Sequence, residues 1–501
     1  MNANPIGFAL ALALALALSL STVAIAAPSR TFAQVGTAPS ADQDRPPPLG
    51  AWPIQVEPPQ LVSAERLKDI PLLRPHADAT AAPKGLAILV SGTEGWIPER
   101  EAEAKALVAA GLVVLAVHFP SYRKALAASG DGCHYVVADF EALAQLAQRE
   151  LGLKTYLRPI IVGSGAGAGT FAYAALADAP DNTLGGAVAV GFDNRLDTPV
   201  AFCPGASAKP NPAGGFTYGF DHPIPAPIAF LTGGGEAALI DPGFVSGNRV
   251  TVTALDPARR IPQMVQAVVE AANGDALKAA DLPVMQMKPK GDPRGVALIW
   301  SGDGGWRDID QSLGALLFDK GFAVVGIDSL RYFWSQRTAQ EMARDTSLMV
   351  KAADPTERLP ILLAGYSFGA NVLPFAWPHL DPRIRAHTRL VALLAPEERT
   401  GFQISVAGWL GISTGDADVV AAILALPPAI ALCIHGRDED DSACLAPRLA
   451  PQEVIALPGG HHFDDDYPQL GATILAAFDH RAQAAQGRAA QSPAGPAIPR
   501  Q

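Results

Sequence analysis

The chain repeats itself. Pro83-Lys84-Gly85-Leu86 returns as Pro293-Arg294-Gly295-Val296, and Ser91-Gly92-Thr93-Glu94-Gly95-Trp96 returns as Ser301-Gly302-Asp303-Gly304-Gly305-Trp306. Gly111 and Tyr122 recur as Gly321 and Tyr332 at the same offset, with no gap. A period this long means two domains of one kind rather than a stack of short units. Each copy opens with the same grammar. Val296 to Trp300 is a short apolar run, Gly302 to Gly305 a turn, and Ile309, Leu313, Leu316 and Leu317 recur at helical spacing. Gly321 ends that helix and Phe322 to Ile327 is the next apolar run. Strand, helix and strand with short joints predict a mostly parallel sheet covered by helices on both faces, an α/β fold built twice.

The ends read differently. Phe8 to Ile25 is an uninterrupted run of apolar and small residues, and Ala24-Ile25-Ala26 offers small residues for cleavage. This predicts an export signal over 1–26 and a periplasmic protein, with an uncleaved anchor as the rival reading. A Pro/Ala-rich flexible stem is expected over 27–60 and a flexible tail over 483–501. Between them the copies span 83–255 and 291–482, joined by a connector over 256–290 in which Ile261 to Leu277 suits a helix. No later stretch approaches the roughly 20 apolar residues of a spanning helix. The chain has 501 residues and a net charge of −11, which argues against a broad basic face and direct nucleic-acid binding. An acidic surface suits a cationic substrate as well as ordinary solubility. Export permits disulfides. Cys433 and Cys444 flank one polar loop, and Cys133 and Cys203 share the other half. The cysteines and histidines show no metal-ligand spacing, so neither metal nor cofactor is expected.

The chemistry lies in the second copy. The apolar run Leu359 to Ala364 leads straight into Gly365-Tyr366-Ser367-Phe368-Gly369, with a helix-compatible stretch behind it. That is G-x-S-x-G in strand–turn–helix context, where a sharp turn lifts the serine above the sheet. Such a nucleophile needs an acid and then a histidine, in that chain order. After the apolar run Ile430 to Ile434 come Asp438, Glu439, Asp440 and Asp441. Asp438 or Asp441 is favoured as the acid, with Glu439 open. The last strand ends in Gly459-Gly460-His461-His462, so His461, or His462 beside it, is the expected general base. The oxyanion donors are expected from the N–H of Phe368 and from the glycine turn at Gly304. Arg331 lies where ligands bind in such sheets and could meet a phosphate. Its neighbours Tyr332, Phe333 and Trp334 suit either a ligand edge or a core.

The first copy lacks these groups. Its turn, Gly163-Ser164-Gly165-Ala166-Gly167, has glycine or alanine wherever the serine should fall. Thr232-Gly233-Gly234-Gly235-Glu236 keeps one carboxylate, and Asp256-Pro257-Ala258 has no histidine. Residues 83–255 therefore read as a degenerate hydrolase domain, whose glycine-rich turn could still hold an anion.

Together the signal, the doubling, Ser301-Gly-Asp-Gly-Gly-Trp306, Asp328-Ser-Leu-Arg-Tyr-Phe-Trp334, Gly365-Tyr-Ser-Phe-Gly369 and Gly460-His-His-Phe463 resemble the AcvB/VirJ family of bacterial virulence proteins. The doubled form looks like the AcvB type, and the VirJ type corresponds to the second copy alone. The resemblance implies tandem α/β-hydrolase domains and a periplasmic serine hydrolase that removes lysine from lysyl-phosphatidylglycerol, a membrane phospholipid. It also implies a link to type IV secretion components, and it places the family's elbow serine on Ser367. On charge, Asp303 or the acidic loop would receive the lysine ammonium and Arg331 the phosphate. The alternatives are a non-catalytic periplasmic adaptor and a general periplasmic esterase or peptidase.

Overall fold

The computed structural model describes residues 60–75, 82–203, 205–279, 282–405 and 415–491. The expected signal and nearly all of the expected stem lie outside them.

The first half begins with an antiparallel pair, β1 (Gln60–Ala64) and β2 (Leu67–Leu73). Then follow β3 (Gly85–Ser91), α1 (Pro98–Ala109), β4 (Leu112–Val117), α2 (Phe119–Ala128), α3 (Val136–Glu150), β5 (Pro159–Ser164), α4 (Ala168–Ala177) and β6 (Gly186–Val190). A small sheet of β7 (Arg195–Leu196), β8 (Ala208–Pro210) and β9 (Phe216–Tyr218) interrupts the pattern, which resumes with β10 (Ile228–Thr232), α5 (Pro242–Gly247), β11 (Val250–Ala254) and α6 (Arg260–Ala279).

The second half runs β12 (Val284–Met287), β13 (Gly295–Trp300), α7 (Ile309–Asp319), β14 (Phe322–Ile327), α8 (Ser329–Tyr332), α9 (Ala339–Ala353), β15 (Ile361–Tyr366), α10 (Phe368–Ala376), α11 (Pro382–His387) and β16 (Thr388–Leu394). A two-stranded ribbon, β17 (Arg399–Thr400) with β18 (Ala417–Asp418), precedes the helix Val419–Leu424. β19 (Ala431–Gly436), β20 (Glu453–Leu457) and a terminal helix, Tyr467–Gln491, complete the chain.

The first sheet has the order β1-β2-β4-β3-β5-β6-β10-β11, and the second β12-β14-β13-β15-β16-β19-β20. Strand for strand the two agree, β12 standing for β2, and only β1 has no counterpart. In each sheet the strands from β4 or β14 onward are parallel and the preceding strand is antiparallel. This is the α/β-hydrolase arrangement, present twice. The parallel strands inside the sheets, Gly295–Trp300 and Ile361–Tyr366 among them, are wholly buried, which is why they read as unbroken apolar runs.

The repeated Ser-Gly…Gly-Trp has a local structural reason. The Ser301 hydroxyl accepts from the Ser329 N–H at 2.9 Å, and Ser91 accepts from Phe119 N–H at 3.0 Å. Each serine thereby ties the end of one strand to the start of the helix after the next. Gly95 and Gly305 both take positive φ, 76° and 85°. A Cβ on either would strike the residue that caps that helix, His118 or Asp328.

Three boundaries differ from expectation. The first domain starts at β1, well before residue 83, because the β1–β2 hairpin pairs with β4. The span 256–290 is no connector: Met264, Val268 and Ala272 of α6 are buried against the first sheet, and β12 is the edge strand of the second. The terminal helix continues through residue 483 to Gln491, so the expected tail is helical over that stretch. In the first two cases, strand pairing and an apolar face seen only in three dimensions captured the segment.

Both cysteine pairs form disulfides, Cys133–Cys203 and Cys433–Cys444. Among the described residues no helix is long and apolar enough to cross a membrane, and no group of three His, Cys, Asp or Glu is arranged to hold a metal ion.

Candidate active site

β15 ends at Tyr366 and α10 begins at Phe368, so one residue, Ser367, makes the whole turn. It does so at φ 51° and ψ −116°, a conformation that costs a non-glycine residue energy and that a functional site retains. The flanking glycines are obligatory. A Cβ on Gly369 would lie 2.2 Å from the Trp300 carbonyl oxygen, and one on Gly365 would lie 2.5 Å from Gly369 backbone.

His461 follows β20 and brings Nε2 to 3.0 Å from Ser367 Oγ. Its Nδ1 lies 2.8 Å from Glu439 Oε1. The acid is therefore Glu439, and neither Asp438 nor Asp441. Past β19 the chain turns so that Glu439 Oε2 accepts from the Gly436 N–H at 2.8 Å, which aims its other oxygen inward. Asp438 and Asp441 are exposed; the N–H of Asp438 binds Gly459 O, and the charge of Asp441 reaches Glu397. A signal for Glu439 was present in the repeat. Glu236 also stands three residues past a glycine, and its Oε2 accepts from Gly233 N–H at 2.8 Å. The degenerate copy thus keeps one carboxylate, at the matching place. His462 points elsewhere, its Nδ1 3.2 Å from Tyr366 OH.

Burial alone would lower the His461 pKa, but the Glu439 carboxylate, with Glu397 and Asp303, outweighs it and holds the imidazole above its ordinary value. Burial likewise presses on Glu439, yet the bonds from His461 and Gly436 leave its pKa lowered. Glu439 is thus charged at neutral pH and orients an imidazole whose other nitrogen faces the serine, the arrangement of a charge-stabilised general base.

A cavity opens beside Ser367, lined by Asp303, Phe368, Asn371, Glu397 and Arg399 among others. Phe368 is the first residue of α10, where a helix leaves its N–H groups unpaired, and so its N–H suits an oxyanion. Gly304, the other expected oxyanion donor, lies in the turn beside Asp303, and the N–H groups of both residues favour the charged form of the Asp303 carboxylate. Asp303 stands in the cavity wall, where burial raises its pKa. Glu397, which sequence reasoning missed, lies three residues past β16 and exchanges two hydrogen bonds with Asn371. Burial, and next the Asp303 charge, raise its pKa too. Arg331 is not part of this lining: its backbone N–H caps onto Asp328 and its charge faces that carboxylate. Arg399 occupies the cavity wall instead. Tyr332, Phe333 and Trp334 are core, each no more than 1% exposed.

The first half's equivalent is closed. Gly165 follows β5 where Ser367 follows β15, and Glu94 Oε1 lies 1.9 Å from where a Cβ on Gly165 would stand. The same carboxylate accepts from the Ala166 N–H at 3.1 Å. The expected anion place is thus filled by the chain's own glutamate. Behind it, Arg260 bonds Ser164 and the fully buried Glu103.

Residues 294–482 match the model of a family described as bacterial virulence protein (VirJ). The search of curated proteins returns no match. Similar solved structures include Est1E from Butyrivibrio proteoclasticus with ferulic acid bound, at 14% identity and a TM-score of 0.31, covering 40% of this chain and 96% of that one. A lipase-esterase related protein from Clostridium acetobutylicum is 15% identical, with a TM-score of 0.29 and coverage of 38% and 98%. Proline iminopeptidase from Mycobacterium smegmatis is 14% identical, with a TM-score of 0.29 and coverage of 40% and 95%.

Proposed function

We propose that this protein, whose residues 294–482 match the model of the VirJ family of bacterial virulence proteins, is a periplasmic serine hydrolase that cleaves the aminoacyl ester of lysyl-phosphatidylglycerol. The observation that carries this reading is the pair Asp303 and Glu397 in the wall of the cavity that Ser367 enters. Burial raises the pKa of both carboxylates, and the Asp303 charge adds to this at Glu397; a cation between them would stabilise their charged forms, and a lysyl ammonium supplies one.

Ser367 Oγ attacks the lysyl carbonyl while His461 takes its proton, and Glu439 stabilises the imidazolium that forms. The Phe368 N–H receives the developing oxyanion. Collapse breaks the ester bond. His461 returns the proton to the glycerol oxygen, and phosphatidylglycerol leaves. Water, deprotonated by His461, then attacks the acyl-serine and releases lysine. Arg399 is the cationic group in the cavity wall, and it takes the role of phosphate partner that charge had suggested for Arg331.

Thin-layer chromatography of membranes carrying lysyl-phosphatidylglycerol tests this. The wild-type protein should consume the lysyl lipid, and Ser367→Ala should lower kcat by about 10⁴-fold or more. Equal turnover by both would remove Ser367 from the mechanism. Turnover by neither, with short-chain esters also untouched, would favour an adaptor that interacts with type IV secretion components.

A further inference from the structure

The degenerate first half reaches the working site through α3 and through Asn182. Glu141 of α3 accepts from Arg307 Nη1 at 2.9 Å. Arg307 directly follows the Gly302–Trp306 turn, and its guanidinium lies against Gly304, where a Cβ would meet Nη2 at 2.4 Å. Asn182 of the same half donates to Trp306 O at 3.3 Å. Farther along α3, Arg149 donates to the backbone oxygens of Trp334 and Ile404, and Ile404 lines the catalytic cavity. A second cavity, lined by Glu65, Arg66, Glu141, Asp303, Gly304 and Arg307, separates the remainder of that turn from the first half. On this side Gly304 rests on the Arg307 side chain, and Arg307 rests on Glu141.

We propose that Glu141 is a positioning residue for the hydrolase: it holds the Arg307 guanidinium against Gly304, and so fixes the Asp303–Gly304 turn beside Ser367. The role rests on the reading of Ser367 as the nucleophile. It gives the first half a task that its lost chemistry does not forbid, bracing the turn of its active twin. Burial would lower the Arg307 pKa, but the Glu141 charge more than restores it, so the guanidinium stays charged and anchored. With Glu141 neutral, the anions within reach of Arg307 include Asp308, 3.9 Å from Nε, and Asp303 in the cavity wall. A guanidinium drawn to either leaves Gly304 unsupported, and displacement of a reacting geometry by about 1 Å can cost on the order of 10²-fold in rate.

The test compares full-length wild type, Glu141→Gln, Arg307→Gln and the double variant. Three readouts are taken: the rate at which a fluorophosphonate labels Ser367, kcat and KM for a neutral short-chain ester, and the melting temperature. Glu141→Gln should label about 10- to 100-fold more slowly. Its kcat should fall by the same factor, with KM and melting nearly unchanged. The double variant should be no slower than Arg307→Gln, because both changes break one chain of contacts. Wild-type labelling by a folded Glu141→Gln protein, or losses that add in the double variant, would overturn the proposal. Should Glu141→Gln melt near the assay temperature, Arg307→Lys carries the same test, since an ammonium can face Glu141 without reaching Gly304. A wild-type protein that resists labelling would instead refute Ser367 as nucleophile, and the brace with it.

Discussion

Four consecutive acidic residues follow β19, and only one of them faces the histidine. Glu439→Gln should lower kcat by about 10²- to 10⁴-fold, because an amide stabilises neither the tautomer nor the imidazolium. Asp438→Asn and Asp441→Asn should stay within about threefold, since both side chains are exposed. Steady-state kinetics of the three variants checks this, and a large loss with Asp438→Asn would reassign the acid. The raised His461 pKa has a definite sign in the pH profile. The base works as neutral imidazole, so kcat/KM should fall as pH drops through a midpoint above about 6.5, the ordinary histidine value. Glu397→Gln or Asp303→Asn removes a carboxylate that favours imidazolium, and should move that midpoint down. A midpoint unmoved in both variants would deny these carboxylates their influence on His461. Ser367 and the pair His461–His462 were legible from motif and chain order, and the structure turns His461 toward the serine. Glu439 was not, because linear order does not say which of four neighbours a turn aims inward.

At the scale of elements, the acid is carried by a loop stitched down at several points. Cys444 is bridged to Cys433 on β19, and the Ala443 N–H donates to Pro396 O at 2.7 Å. Replacing both cysteines with serine should lower stability by about 2–3 kcal/mol, the range for a short closed loop. Thermal melting of the oxidised wild type against the variant measures it, and equal melting temperatures would show the loop is held without the bridge. Val296–Trp300, Phe322–Ile327, Leu359–Ala364 and Ile430–Ile434 could be placed from sequence because parallel strands buried on both faces are continuous apolar runs. β1 and β12 could not. They are edge strands with exposed positions, and pairing with β2 and β14 is what makes them strands.

Over the whole molecule the two halves share packed surface. Tyr156 of the first half is buried in the second half's core, its ring 4.9 Å from that of Trp334. The Arg149 guanidinium lies 3.5 Å over the Trp334 ring, and burial pulls its pKa down to about 10. Wild type should therefore unfold in one calorimetric transition. Arg149→Ala strips the Ile404 carbonyl of its Arg149 donor, leaves Trp334 O to Gln403 and removes a cation–π contact, a loss of about 2–4 kcal/mol, and should split that transition in two. A single unshifted transition in the variant would mean that the halves do not depend on this contact.

The repeat, the apolar periodicity and G-x-S-x-G sufficed to specify two α/β domains and, in the second, an elbow serine at Ser367 and a histidine pair, His461 and His462, after the last strand, because these depend on local chain geometry and strand order. Tertiary structure decided the rest: Glu439 among four carboxylates, Glu397 and Arg399 in the cavity in place of Arg331, Glu94 in the first copy's anion place, and α6 and β12 as parts of the two domains. Each is a contact between segments remote in sequence or a choice of side-chain direction at a turn. Periodicity and spacing encode neither, since both follow from how the packed sheets bring distant loops to one edge.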